Sequence, residues 1–211
     1  MQITEQFLKL ALLGAEWVMY ILVACSVVSI GIIFERIFFF LKLKDNFPEF
    51  LQKLTERLNS GDSTESIAAW CSGQSSIPSK VAGVGLEKIS KNPKAAEDAM
   101  SATLISSRVL MDRGITILAT LASNTPYIGL FGTIIGIIQA FNALATSTSS
   151  GPEVVMASIS EALVATAVGL MVAIPALIAT NFLSRKIKTI MAQGETTIRV
   201  VLSSFGQPKS N

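Results

Sequence analysis

Two long uncharged runs dominate the hydropathy pattern. Residues 114–152 contain no charged side chain, and residues 154–184 contain one, Glu161. An apolar run of more than ~18 residues is long enough to cross a bilayer as a helix. A spanning helix satisfies its own backbone polar groups, which an isolated strand cannot do. The pattern predicts a hairpin of two transmembrane helices, 114–145 and 154–184, joined by a loop at 146–153. A third apolar run predicts a span over 17–41, with Trp17 and Tyr20 suited to one membrane interface. Residues 1–16 mix Phe7, Leu8, Leu10 and Leu12 with Glu5 and Lys9, which reads as an amphipathic helix on the membrane surface. Its acidic residues, and the lack of an early basic cluster, argue against a cleaved signal peptide.

Between the first span and the hairpin the apolar spacing becomes helical and mixed. Phe47, Phe50, Leu51, Leu54 and Leu58 form one stripe that stops at Gly61. Asp62 and Glu65 have the spacing of a capping box for a short helix reaching Trp70. Ile77-Pro78 opens a third helix, and Asn92-Pro93 pairs an N-cap with a first-turn proline. Only Gly114 interrupts the sequence between that last helix and the second span, so the two can run as one. At 1.5 Å per residue, 114–145 measures about 48 Å against a hydrocarbon core of ~30 Å. The excess is expected to project into the cytoplasm and to need partners there. The third run continues as a helix through Arg185 toward Phe205, giving a cytoplasmic segment over 185–211.

The hairpin is more polar than an anchor requires. It carries Thr133, Gln139, Asn142, Ser158, Glu161, Thr166, Thr180 and Asn181. Small residues recur every three or four positions: Gly129, Gly132, Gly136 and Ala140 on the first helix, and Ser158, Ala162, Ala165, Gly169, Ala173 and Ala176 on the second. Such spacing puts each set on one helix face. Small faces let helices approach closely in lipid, where the hydrophobic effect does not drive pairing. Thr133 and Thr166 lie in these stripes and should face protein; the bland alternative is back-bonding to the carbonyl four residues earlier. Pro175 serves either as a packing kink or as a hinge. A carboxylate at the centre of a membrane helix costs ~2.5–3.5 kcal/mol on insertion scales. Glu161 lies only about five residues, ~8 Å, inside its helix. It reads as an ion-path or partner-contact residue, or as a side chain reaching for the head groups. Glu35 and Arg36 are cytoplasmic-interface charges. They either reach for head groups or pair with a neighbouring subunit or lipid.

Residues 126–136 (Pro-Tyr-Ile-Gly-Leu-Phe-Gly-Thr-Ile-Ile-Gly), 159–170 (Ile-Ser-Glu-Ala-Leu-Val-Ala-Thr-Ala-Val-Gly-Leu) and Ala-Ile-Pro-Ala at 173–176 resemble the ExbB/TolQ/MotA family of proton-channel subunits, closest to its ExbB and TolQ branch. At 134–135 many relatives carry Val-Trp at the ring interface, where this chain has Ile-Ile. The resemblance implies an all-α membrane protein that forms a homo-oligomeric, pentameric ring around the helices of an ExbD- or TolR-like single-span partner. It implies bacterial inner-membrane residence and the use of proton-motive force to energise an envelope process such as TonB-dependent transport. A TonB- or TolA-like protein would be the next partner. It further implies Thr133 and Thr166 as pore-lining hydroxyls, and Glu161 as an acidic residue near the periplasmic side.

Composition narrows the alternatives. Half of the 211 residues are hydrophobic and 15% are charged, against roughly 25% charged in soluble domains. Net charge is +2, which gives no reason to expect nucleic acid. The chain has no histidine, so the commonest general base and metal ligand are missing. Cys25 and Cys71 lie in a span and a soluble segment, a poor pair for a disulfide or metal. No enzyme motif, phosphate loop or cofactor site is legible. Lys42, Lys44, Arg108, Arg113, Arg185, Lys186 and Lys188 all fall on one side of the spans, so the N-terminus and hairpin tip should be periplasmic and the C-terminus cytoplasmic. The alternatives kept open are a flagellar or gliding stator subunit and a non-conducting scaffold; the chain's three spans, against the four usual in the MotA branch, weigh against the stator.

Overall fold

The computed structural model describes residues 16–43, 46–90, 92–146 and 152–206. The expected surface helix before residue 16, most of the hairpin tip and the last five residues lie outside them. Among the described residues all regular structure is helical: α1 (Glu16–Lys42), α2 (Phe47–Ser60), α3 (Thr64–Ser72), α4 (Ile77–Ile89), α5 (Pro93–Asp112), α6 (Ile115–Thr146) and α7 (Pro152–Gly206). Three candidate spans among the described residues are long and apolar enough to cross a membrane. The chain divides into two compact units, Met1–Glu35 with Gly114–Asn181, and Arg36–Arg113 with Phe182–Asn211.

The first unit holds the beginning of α1, all of α6 and the first half of α7. Its core joins Val18, Leu22 and Ile135, with Trp17, Met19, Ile128, Ile138 and Val168 against them. Ile135 is thus buried inside this chain. Trp17 meets Phe131 edge to face with ring centroids 6.0 Å apart, a favoured aromatic arrangement. Elsewhere α1 turns Val23, Val27, Val28, Ile30 and Phe34 outward. Apolar residues facing away from protein suit a hydrocarbon solvent.

The second unit is built by helix caps and bulky side chains. Gly61, at φ 80°, ends α2 in the left-handed conformation that glycine accepts most easily. The α3 cap departs from expectation. Ser63, not Asp62, is the N-cap and accepts from the Ser66 N–H, while Asp62 lies 3.6 Å from Arg57. A serine one residue closer to the helix takes the role because its oxygen reaches the N3 amide. Ser76 and Asn92 cap α4 and α5. Phe50 stacks on Trp70 at 5.6 Å, and the Arg57 guanidinium lies over Trp70 at 5.0 Å. Val81, Leu86, Met100, Leu104 and Met111 fill the interior. Cys71 is buried and free, and burial pushes its thiol up to about 12; Cys25 is free as well.

The α5 helix does not run on into the second span. Arg113 adopts ψ 132° and Gly114 has φ +76°, which interrupts the ladder between Asp112 and Ile115. Arg36 accounts for part of this ending. It is 3% exposed and its Nη1 donates to the Leu110 carbonyl at 3.1 Å. That carbonyl is one of the last four of α5, which have no intrahelical donor. A guanidinium also suits the negative end of the helix dipole. Arg36 therefore turns inward, onto its own chain and over Phe39 at 4.8 Å, rather than out to head groups or a neighbour. Glu35 is exposed.

Candidate functional site

The predicted small stripes meet each other. A methyl added at Gly129 would lie 2.8 Å from the Ala165 carbonyl oxygen and 3.1 Å from the Thr166 Cα. One added at Gly169 would lie 2.7 Å from the Thr125 carbonyl oxygen and 3.1 Å from the Gly129 Cα. At Gly136 it would lie 2.6 Å from the Ala162 Cβ. At Gly132 it would be 2.9 Å from the Ala165 Cβ and 3.1 Å from Val18 on α1. Backbone thus lies on backbone through the middle of the hairpin, as the four glycines were expected to allow.

This close approach puts Thr133 and Thr166 together. Their hydroxyl oxygens are 2.5 Å apart. Each is also 3.2 Å from the same acceptor, the Gly129 carbonyl. For Thr133 that acceptor is the residue four back, so the bland reading describes part of its environment. Thr166 differs: it reaches across to the other helix instead of to its own turn. Two hydroxyls carry two protons between them, so they cannot fill all three contacts by donation at once. Both threonines are half-buried. The site can offer a third group either a hydroxyl proton or a lone pair, but it contains no group that ionises near neutral pH.

Glu161 is not part of this constellation. It is exposed, five residues before Thr166 on α7. Five residues correspond to about 7.5 Å along a helix and about 140° around it. Pro175 lies inside the continuous α7 and is exposed. Gln139, Asn142 and Ser158 are half-buried with polar partners. The Thr180 hydroxyl is buried without a partner among the described residues. No group of three or more metal-ligating side chains occurs among the described residues.

Sequence reasoning missed Thr125. It is fully buried, its hydroxyl donates to the Leu121 carbonyl at 2.9 Å, and its own carbonyl faces Gly169. Its place four residues before Gly129 could have extended the stripe. The shared carbonyl of Gly129 had no sequence signal, because it depends on how closely the helices approach.

Residues 74–196 match the model of the MotA/TolQ/ExbB proton channel family. The chain is 32% identical over 200 residues to the Tol-Pal system protein TolQ of Haemophilus influenzae, covering 88% of this chain and 86% of that one. It is 41% identical over 93 residues to the biopolymer transport protein ExbB of Salmonella typhimurium, covering 44% and 38% of the two chains. It is 48% identical over 79 residues to the ExbB of Neisseria gonorrhoeae, covering 37% and 36%.

Proposed function

As the chain belongs to the MotA/TolQ/ExbB proton channel family, we propose that its hairpin provides the wall against which a partner's carboxyl group gains and loses a proton. The protein is an ExbB/TolQ-like membrane proton-channel subunit. The observation that carries the finer reading is the hydroxyl pair Thr133–Thr166 over the Gly129 carbonyl. A neutral pair of this kind can hydrogen-bond a carboxylate as donor and a carboxylic acid as acceptor. It cannot carry the proton itself, so the titrating group belongs on another chain. An ExbD- or TolR-like single-span protein with a membrane aspartate supplies it in this reading, within a pentameric ring of the present chain. Protonation neutralises that aspartate and frees the partner helix to move; deprotonation holds it at the hydroxyls. Glu161, ~7.5 Å away along α7, stands toward the periplasmic side of the path. The N-terminus lies outside and the C-terminus in the cytoplasm. The energised task is an envelope process such as TonB-dependent transport.

Proteoliposomes holding this chain, alone and with its single-span partner, test the reading by proton uptake under an imposed pH gradient. Uptake should need the partner and fall at least tenfold in Thr166→Val, while the complex stays assembled. A membrane hydrogen bond averages only ~0.6 kcal/mol, so a scaffold role would leave Thr166→Val nearly as active as the parent. Unchanged uptake would therefore remove Thr166 from the path.

A further inference from the structure

Depth in the membrane can be read across the first unit. Val18 of α1 lies against Gly132 of α6, 3.1 Å from the position of an added methyl, and Ile32 lies against Gly114 at 3.3 Å. The two helices are therefore antiparallel, and residues 120–127 of α6 stand beside residues 21–28 of α1. At that depth α1 faces outward with Val23, Val27 and Val28, 53%, 67% and 48% exposed. A purely aliphatic outer surface marks this level as hydrocarbon.

At the same depth α6 faces outward with Thr120, Ser123, Asn124 and Tyr127, all exposed and spaced along one face. Thr120, Ser123 and Asn124 each donate to a carbonyl of their own helix. Tyr127 does not: its side chain is 70% exposed, and its hydroxyl makes no hydrogen bond among the described residues. Hydrocarbon offers that hydroxyl nothing.

A complementary vacancy lies on α7. Pro175 has no N–H, so the Met171 carbonyl four residues earlier lacks its helical donor. Met171 is also 70% exposed. Gly129 and Gly169 touch in the antiparallel hairpin, which sets Tyr127 and Met171 at one depth. Both lie on outer surfaces, away from the packed stripes, so one chain cannot bring them together.

We propose that the outer face of α6 docks on the outer face of α7 of a second copy of this chain, with the Tyr127 hydroxyl donating to the neighbour's Met171 carbonyl. A bilayer holds every copy in one orientation at one depth, so rotation about the membrane normal keeps 127 level with 171. Each copy contributes the Tyr127 hydroxyl as donor and the Met171 carbonyl as acceptor. Such a head-to-tail contact pairs every Tyr127 with a Met171 when the rotation closes into a ring. The inference rests on the homo-oligomeric part of the proposed function and identifies the surfaces that form it.

The test uses the full chain with Cys25→Ala and Cys71→Ala, carrying Tyr127→Cys, Met171→Cys or both. Membranes are treated with a short bifunctional thiol reagent. The two-cysteine protein should give a ladder of cross-linked multimers, and neither single-cysteine protein should. A dimer from Tyr127→Cys alone would mean a symmetric contact and overturn the proposal, as would the absence of a ladder. Rapid reaction of a cysteine at 127 with a charged, impermeant reagent would mean that the face lines water, with the same consequence. A second measurement leaves the backbone in place. Tyr127→Phe should weaken assembly in detergent about threefold per contact, the average worth of a membrane hydrogen bond. The loss should be smaller in Pro175→Ala, where Met171 regains its helical donor and only its second lone pair remains for the hydroxyl. Equal loss in both backgrounds would mean that the missing helical donor is not what recruits Tyr127. The ladder is read without ion flux. A ladder without partner-dependent uptake would sink the channel reading alone, and uptake without a ladder would sink this contact alone.

Discussion

Glycine does different work in the two units. In the membrane hairpin, Gly129 and Gly169 admit backbone: the atoms that a methyl would strike are the carbonyl oxygens of Ala165 and Thr125. In the helical unit formed by α2 to α5 and the end of α7, Gly85 admits the thioether of Met100, and Gly194 admits the tip of Leu104. A backbone carbonyl can yield only if a whole helix moves. A methionine tip can turn about three bonds. The hairpin therefore uses glycine to set the distance between two helices, whereas the other unit uses it as a recess for a side chain.

The strongest way to break this contrast is Gly129→Ala. Overpacking of a tight core costs typically 1–3 kcal/mol, and here no side chain can absorb it. The hairpin should lose about 3 kcal/mol and, with the Thr133–Thr166 contact forced apart, its ion uptake. Thermal unfolding in detergent and liposome flux would read the two effects; a fully active Gly129→Ala protein would show that the helices can separate freely. Next comes Arg36→Met. It leaves the Leu110 carbonyl without its guanidinium donor, and an unmet buried group costs about 1–3 kcal/mol. Arg36→Lys should recover part of that, as denaturant titration of the two variants would reveal. A surface role for Arg36 predicts no loss in either. Gly85→Ala should cost less, about 1 kcal/mol net, because ~1 kcal/mol of helix propensity offsets the overpacking. Met100→Leu in the same chain should make the pair less than additive, and strict additivity would mean that Met100 is not what yields. Gly31→Ala has the opposite sign. Nothing lies within 4 Å of its added methyl, so the gain in helix propensity stands alone, at most ~1 kcal/mol, and the melting temperature should rise by up to about 2–4 °C.

The contrast also explains what could be read in advance. Spans, hairpin and small faces were legible because each is a local pattern: apolar length, or a spacing of three and four. Thr133 and Thr166 could be placed in the facing stripes, and the structure joins them. Glu161 was singled out on the same helix, yet residue spacing alone already puts it around the helix from Thr166. The ending of α5 was less legible. Gly114 looks harmless in sequence, and its positive φ goes with an arginine that donates to Leu110 across 74 residues of chain. A long-range cap of that kind has no local signature. The choice of Ser63 over Asp62 turned on one residue of register, which composition alone does not resolve. Arg36 was weighed as an interface charge because a charge at the end of a span usually is one; its burial depends on an acceptor from another helix.

The shared acceptor at Gly129 has a last consequence. With one carbonyl between two hydroxyls, the hydrogens have two arrangements: Thr166 donates to Thr133 and Thr133 to the carbonyl, or the reverse. Turning two O–H bonds exchanges them and swings the local dipole without displacing a heavy atom. The pair behaves like a fragment of ice held between helices, with orientational freedom frozen into an otherwise rigid crevice. Rotor flips of this size take picoseconds to nanoseconds, whereas helix shifts take microseconds to milliseconds. A charge that appears or disappears beside the pair would be answered by reorientation long before any helix moved.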